Sequence, residues 1–172
     1  KNMEHKDDVE VKWHDNYFNL LIQRDMRVVY LLDITHYAEI QKKYDDSQLV
    51  LGQVFLDNYD EVTKSLNDTE VSNLDSFVAN TLSNWAQKFG MFLKKVDQDR
   101  YFILAYTGNL NKIENEKFKI LDVIREKTSK GNSPLTLSIG IAYGDDNLSE
   151  LSDQSQNNLD LALGRGGDQV VV

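Results

Sequence analysis

Cysteine is missing from this chain altogether. That excludes a disulfide scaffold, a thiolate zinc site and a cysteine nucleophile, and it fits a cytosolic setting. Proline occurs once and glycine nine times in 172 residues, so chain breakers are few and long elements are expected. Positive charge is scarce: 19 Lys and Arg stand against 28 Asp and Glu, a formal net charge of −9. A surface of that sign repels phosphate backbones, and no sustained basic run offsets it, which argues against nucleic acid as a partner. No apolar stretch approaches the ~20 residues of a membrane span, and no segment has the build of a signal peptide.

What is present reads as a globular domain. Hydrophobic residues make up 41% and charged residues 27%, enough to bury one full core with a smaller unit attached. The chain starts at Lys1 and stops on the strand-like Val170-Val171-Val172, so a piece of a larger protein is expected.

Residues 1–12 are mostly polar and are expected to be partly disordered. Residues 17–22 and 27–32 read as a hairpin, Asp33 or Thr35 as a helix cap, and His36–Tyr44 as a helix. His36 carries no assigned role. The expected division is 1–47 as a smaller unit with a linker helix, and 48–172 as the main domain. In the latter, Leu49–Leu56 is a nearly continuous apolar strand, as in a sheet covered on both faces. Asn58–Leu66 is a short helix. Apolar residues at 71, 74, 78, 82, 85 and 89 form a helical stripe that Gly90 ends, with Trp85 and Phe89 as core. Ile113–Ser129 reads as one long helix, Pro134–Tyr143 as a strand, Leu148–Leu163 as a helix and Gln169–Val172 as a last strand. This order implies an α/β sandwich with helices over a central sheet.

Between the apolar runs 91–96 and 101–106 lies the acidic turn Asp97-Gln98-Asp99-Arg100, which reads as the tip of a β-hairpin. Two carboxylates and a guanidinium there are either a residual nucleotide or metal site, or a solvated turn with an internal ion pair worth only ~0–1 kcal/mol. Asp57, Asn58 and Asp60 follow the buried strand, where α/β proteins place ligands. The other reading is that Asn58 or Asp57 caps the next helix and Asp60 favours its N-terminal dipole. Gly164-Arg165-Gly166-Gly167-Asp168 offers a backbone cradle for phosphate, or simply a helix end and a tight turn.

The order of elements and three segments resemble a diguanylate-cyclase-like GGDEF domain, with a mostly antiparallel central sheet. Val54-Phe55-Leu56-Asp57-Asn58-Tyr59 resembles the first strand and turn. Asp97-Gln98-Asp99-Arg100-Tyr101 stands where Gly-Gly-Asp-Glu-Phe would stand, and Leu135–Ala142 resembles the Ser-Ile-Gly strand. The departures matter more. A working cyclase of this family holds two divalent ions between a first-strand carboxylate and a hairpin carboxylate; the resemblance puts Phe55 at the former, keeps Asp99 in register in the hairpin, and puts Arg100 where the hairpin Glu would stand. Phenylalanine cannot hold a hard cation, which takes oxygen ligands. Asp97 and Gln98 replace the glycines that let phosphate approach. Thr63 and Ser72 stand where the family reads guanine. Asp99 alone keeps its carboxylate, with Asp57 the nearest candidate to share a metal with it. No diguanylate cyclase activity is expected.

The shortened Leu159–Val170 segment, with 56–62 and 72–74, is similar to the GdpP (YybT-like) family of bacterial cyclic-di-AMP phosphodiesterases. That resemblance implies membrane helices, a PAS sensor domain whose tail and signalling helix would be 1–47, a degenerate GGDEF domain, and a downstream DHH/DHHA1 module hydrolysing c-di-AMP to pApA. The whole protein would sit in the cell membrane with this domain facing the cytoplasm. A homodimer is implied. Manganese is expected only in the DHH/DHHA1 module, absent here. The resemblance also allows weak ATP hydrolysis with magnesium or manganese, for which Asp57, Asn58, Asp97, Gln98, Asp99 and Arg100 are the candidate contacts. A purely structural dimerisation module is the third reading.

Overall fold

The computed structural model describes residues 7–129, 134–144 and 147–172. It divides into two compact units, Lys1–Asp45 and Asp46–Val172, at a point inside a helix and just before the 47/48 boundary expected from sequence.

The first unit is a three-stranded antiparallel sheet, β1 (Asp7–Trp13), β2 (Asn16–Gln23) and β3 (Val28–Asp33), followed by α1 (Thr35–Asp46). Asp33 accepts hydrogen bonds from both the amide and the hydroxyl of Thr35, at 2.9 and 2.6 Å, so Asp33 supplies the acceptor at the start of α1. Those bonds hold its carboxyl below the usual range. Strand β1 corrects the expectation of disorder over 7–12. Val9, Val11 and Trp13 alternate with Glu10 and Lys12, a two-residue period that the polar composition masks. Residues 1–6, expected to be disordered, lie outside the described residues.

The second unit holds a five-stranded sheet in the order β5-β6-β4-β7-β8, with β4 (Leu49–Leu56) at its centre. It pairs antiparallel with β6 (Arg100–Tyr106) and β7 (Leu137–Tyr143). Strand β5 (Phe92–Lys95) extends one edge antiparallel, and β8 (Val170–Val171) adds a parallel pairing at the other. The mixed sheet and flanking helices are the architecture expected.

Because side chains alternate along a strand, β4 divides the domain into two layers. Val50, Val54 and Leu56 face one core with Tyr101, Ile103, Ala105, Leu137, Ile139 and Ile141. That core is closed by α2 (Tyr59–Thr63), α3 (Asp68–Phe89), α4 (Thr107–Asn115) and α5 (Ile120–Thr128). Leu51 points the other way, to a smaller core with Ala142 and Leu151 of α6 (Leu148–Gly164).

Helix α3 starts at a capping box, Asn67 with Glu70, and ends on Gly90 at φ 66°, where a left-handed residue closes the last turn. The stripe read from sequence is buried at Val78, Leu82, Trp85 and Phe89. The long helix expected over 113–129 is instead α4 and α5, with Lys117 and Phe118 left-handed between them (φ 53° and 48°). The cause lies at Lys117. A continuous helix would set it on the buried stripe between Ile113 and Leu121; the break leaves it exposed and lets Phe118 pack on the core. Residues 134–136, expected as strand, are tied instead by side chains: the Leu135 amide donates to Thr128 Oγ1, and the Thr136 amide to Asn58 Oδ1.

Helix α6 crosses β7 at Gly140, where an added Cβ would lie 2.1 Å from the Leu159 amide nitrogen and 2.3 Å from the Ser155 carbonyl. These are backbone atoms of a packed helix and cannot swing aside. Gly140→Ala is expected to cost about 3 kcal/mol and to lower Tm by about 6–12 °C in thermal unfolding, with the far-ultraviolet spectrum of the folded state retained.

Candidate functional site

The end of the central sheet, where β4 meets the β5–β6 hairpin, gathers the sequence-predicted residues. Register brings Phe55 opposite Arg100 on one side and Ser138 on the other. The Arg100 guanidinium carbon lies 5.1 Å from the Phe55 ring centroid. An exposed cation on an aromatic face is worth about 0.5–1 kcal/mol. Arg100 thus engages a ring rather than the internal ion pair considered for the turn. Ion pairs elsewhere in the fold join Lys88 to Glu116 and Arg125 to both Asp122 and Asp168.

The hairpin tip is closed by its own backbone. The Val96 and Asp97 amides donate to the Arg100 carbonyl at 2.9 and 3.2 Å. Asp97 Oδ1 accepts the Gln98 amide at 2.7 Å, so this carboxylate serves its neighbour's backbone. The Asp99 carbonyl accepts the Leu56 amide at 2.9 Å, which fastens the hairpin to the end of β4. Asp97, Gln98 and Arg100 are exposed and Asp99 is half-buried.

Asp57 and Asn58 take other directions. Asn58 occupies the N-cap position of α2 but makes no capping bond with its side chain. It donates from Nδ2 to the Pro134 carbonyl at 2.8 Å and accepts the Thr136 amide at 3.0 Å, stitching β4 to the approach of β7. The capping reading of Asn58 is therefore corrected: the nearby open backbone at 134–136 competes for its amide and wins. Nor does Asp57 cap the helix. Its Oδ2 accepts the Asp168 amide at 2.8 Å. Asp60 lies in the first turn of α2, as the dipole argument expects. Thr63 donates its hydroxyl to carbonyls of its own turn, and Ser72 is exposed on α3.

The segment Gly166-Gly167-Asp168 has three positive φ angles, 106°, 74° and 54°. All three amides are already used, toward Leu163, Ala162 and Asp57. No cradle for phosphate is left there, and the segment is a helix end and turn. Sequence reasoning missed the pairing of Asp168 with Arg125, which in turn pairs with Asp122. Burial raises the Asp168 carboxyl above its ordinary pKa; Arg125 opposes this, while Asp57 and Asp122 add to it.

Among the described residues no group of three or more His, Cys, Asp or Glu side chains is placed to hold a metal. The magnesium pair of a GGDEF cyclase does not fit the residues present: Phe55 offers no oxygen, and Arg100 brings positive charge to the position. A second polar pair lies on the helical side. Tyr59 donates to Asp75 at 2.8 Å, and the Tyr101 hydroxyl is buried without a hydrogen-bond partner. Burial, and then Asp75, push the Tyr59 phenol up to about 12. The same causes raise Tyr101.

Comparison with known proteins places this geometry. The family model described as "Cyclic-di-AMP phosphodiesterase GdpP-like, GGDEF domain" matches residues 54–172. Cyclic-di-AMP phosphodiesterase PdeA of Listeria monocytogenes serotype 1/2a (strain 10403S) is 45% identical over 164 residues, covering 95% of this chain and 25% of that protein. Cyclic-di-AMP phosphodiesterase GdpP of Bacillus subtilis (strain 168) is 44% identical over 162 residues, covering 94% of this chain and 25% of that protein. This chain therefore spans a quarter of the length of these relatives. Among solved structures, the GGDEF domain of DgcB from Caulobacter crescentus in complex with c-di-GMP aligns with TM-score 0.63 at 11% identity, over 78% of this chain and 83% of that one. The FimX GGDEF domain from Pseudomonas aeruginosa aligns with TM-score 0.57 at 15% identity, over 79% and 91%. At such identities the likeness is one of fold.

The Tyr59 phenol gives a test of the packing beneath the hairpin. A phenol that holds its proton more tightly folded than unfolded lends stability in full below pH ~10. That contribution is lost as the pH climbs through about 12. Phenolate absorbance is expected to show a late step near that pH, which Tyr59→Phe removes while flattening the alkaline loss of stability. A titration curve unchanged by Tyr59→Phe would contradict the burial described.

Proposed function

The chain belongs to the GdpP-like GGDEF family of cyclic-di-AMP phosphodiesterases, and on that premise we propose that it is a degenerate, regulatory domain rather than a diguanylate cyclase. The observation that carries this reading is the Arg100 guanidinium over the Phe55 ring, at the two positions where a cyclase needs carboxylates. With a ring in place of the first-strand carboxylate and a guanidinium in place of the hairpin Glu, the oxygen ligands that would hold a metal to lower the pKa of the attacking hydroxyl are missing.

In this reading the whole protein is a membrane-bound phosphodiesterase that hydrolyses c-di-AMP to pApA in a downstream DHH/DHHA1 module. The first unit is the tail of a PAS sensor domain, and α1 is its signalling helix. No helix of the described residues is long and apolar enough to cross a membrane, so an anchor would have to come from elsewhere in the protein. Homodimerisation is supported by Tyr37, Ile40 and Tyr44, which recur at helical spacing along α1 and are all exposed.

The regulatory reading is tested in the full-length protein by the rate of c-di-AMP hydrolysis. Arg100→Glu, which sets a carboxylate against the Phe55 ring, is expected to change that rate by about fivefold or more, the scale of a typical coupling free energy. An unchanged rate, both for this variant and after removal of 48–172, would overturn the reading.

A weak ATPase is the second reading. It is favoured by the exposure of Asp97, Gln98 and Arg100 at a sheet end that the Asp99–Leu56 bond holds firm. Magnesium- or manganese-dependent ATP hydrolysis that Asp97→Ala and Asp99→Ala abolish is its expected signature; a rate indifferent to both removes the hairpin as the site.

A further inference from the structure

Three oxygens near the end of the sheet are buried and have no hydrogen-bond partner: Asp57 Oδ1, Asp168 Oδ1 and Ser138 Oγ. They belong to one cluster. Asp57 Oδ2 accepts the Asp168 amide at 2.8 Å. A Cβ built on Gly167 would lie 2.8 Å from Asp57 Oδ2 and 3.4 Å from Ser138 Oγ, so both side chains close on the same glycine. Ser138 is 0% exposed, on the face of β7 opposite the main core, and its hydroxyl points into this cluster with nothing to bond.

Each carboxylate has a job for one oxygen only. Asp57 engages Oδ2 with the Asp168 amide, and Asp168 engages Oδ2 with Arg125. The second oxygen of each is left buried and unsatisfied, a costly state for an anion. Charge is unbalanced as well: the Arg125 guanidinium pairs with both Asp122 and Asp168, and Asp57 adds its negative charge beside Asp168. Glycine at 167 is required by both its positive φ and the close approach of the Asp57 carboxylate, which a Cβ there would strike.

We propose that Asp57 Oδ1, Asp168 Oδ1 and Ser138 Oγ form a binding site for a hard divalent cation of the magnesium or calcium class. The donors are all oxygens, the set such ions take, and two carboxylates with water completing the shell is ordinary for magnesium. Asp168, whose side chain is 22% exposed, lies at the solvent-facing edge of the cluster. The site is distinct from the Asp57–Asp99 pair suggested by sequence, since its second carboxylate comes from the turn before β8. A bound cation would join β4, β7 and the approach to β8, three segments far apart in sequence.

The test uses the 172-residue chain, stripped with EDTA and titrated with MgCl2, CaCl2 or MnCl2 at constant ionic strength, read by calorimetry and thermal unfolding. Saturable binding that raises Tm is expected. Ser138→Ala, a small change in a buried strand, should weaken Kd by about tenfold or more, and Asp57→Asn likewise. Asp153→Ala, at an exposed carboxylate on α6, should leave Kd unchanged. The proposal is overturned if the unaltered chain shows no saturable binding, if Ser138→Ala binds as tightly as the parent, or if Asp99→Ala abolishes binding and thereby assigns the ion to the hairpin.

Discussion

The pairing register of β4 between β6 and β7 is the constraint on which the rest of the domain depends. It sends Val50, Val54 and Leu56 into the larger core and leaves Leu51 for the smaller one under α6. The same register sets Phe55 opposite Arg100 and Ser138 at the end of the sheet. A slip of one residue would exchange the two faces, burying Gln53 in the larger core and expelling Val54. Gly140 reinforces the choice, because only there does β7 let the backbone of α6 approach so closely. The chemistry at the sheet's end is therefore a consequence of packing in its middle.

That arrangement separates fold from function. The scaffold is shared with solved GGDEF domains, which align at TM-scores of 0.63 and 0.57. The groups at the sheet's end differ in kind. A ring and a guanidinium occupy the facing pair, the hairpin amides close on the hairpin's own acceptors, and the turn after α6 uses its amides within the fold. Donors that could face a phosphate have been turned inward, which is why we read the domain as a regulatory one.

Much of this was legible in the sequence because it is local. Leu49–Leu56 is apolar throughout, the stripe from Val71 to Phe89 has a single period, and Gly90 marks its end. The hairpin at 97–100 shows as a polar turn between two apolar runs. What escaped was either a conflict within one period or a partner far away. Lys117 falls on the stripe between Ile113 and Leu121, and the chain answers with a break rather than a buried ammonium. Val9 and Val11 alternate within a polar segment and form a strand whose partner must be known first. Asn58 is a good cap by type, but backbone 76 residues away takes its side chain. The contacts of Asp168 with Arg125 and Asp57 span 43 and 111 residues, and no short-range pattern announces them.

The most direct measurement of the central claim is a cyclase assay: the purified chain incubated with GTP and magnesium, with cyclic di-GMP followed by chromatography. With Phe55 in place of the first-strand carboxylate and Arg100 in place of the hairpin Glu, no cyclic di-GMP above the protein-free control is expected. Enzymatic formation of cyclic di-GMP that increases with protein concentration would contradict it.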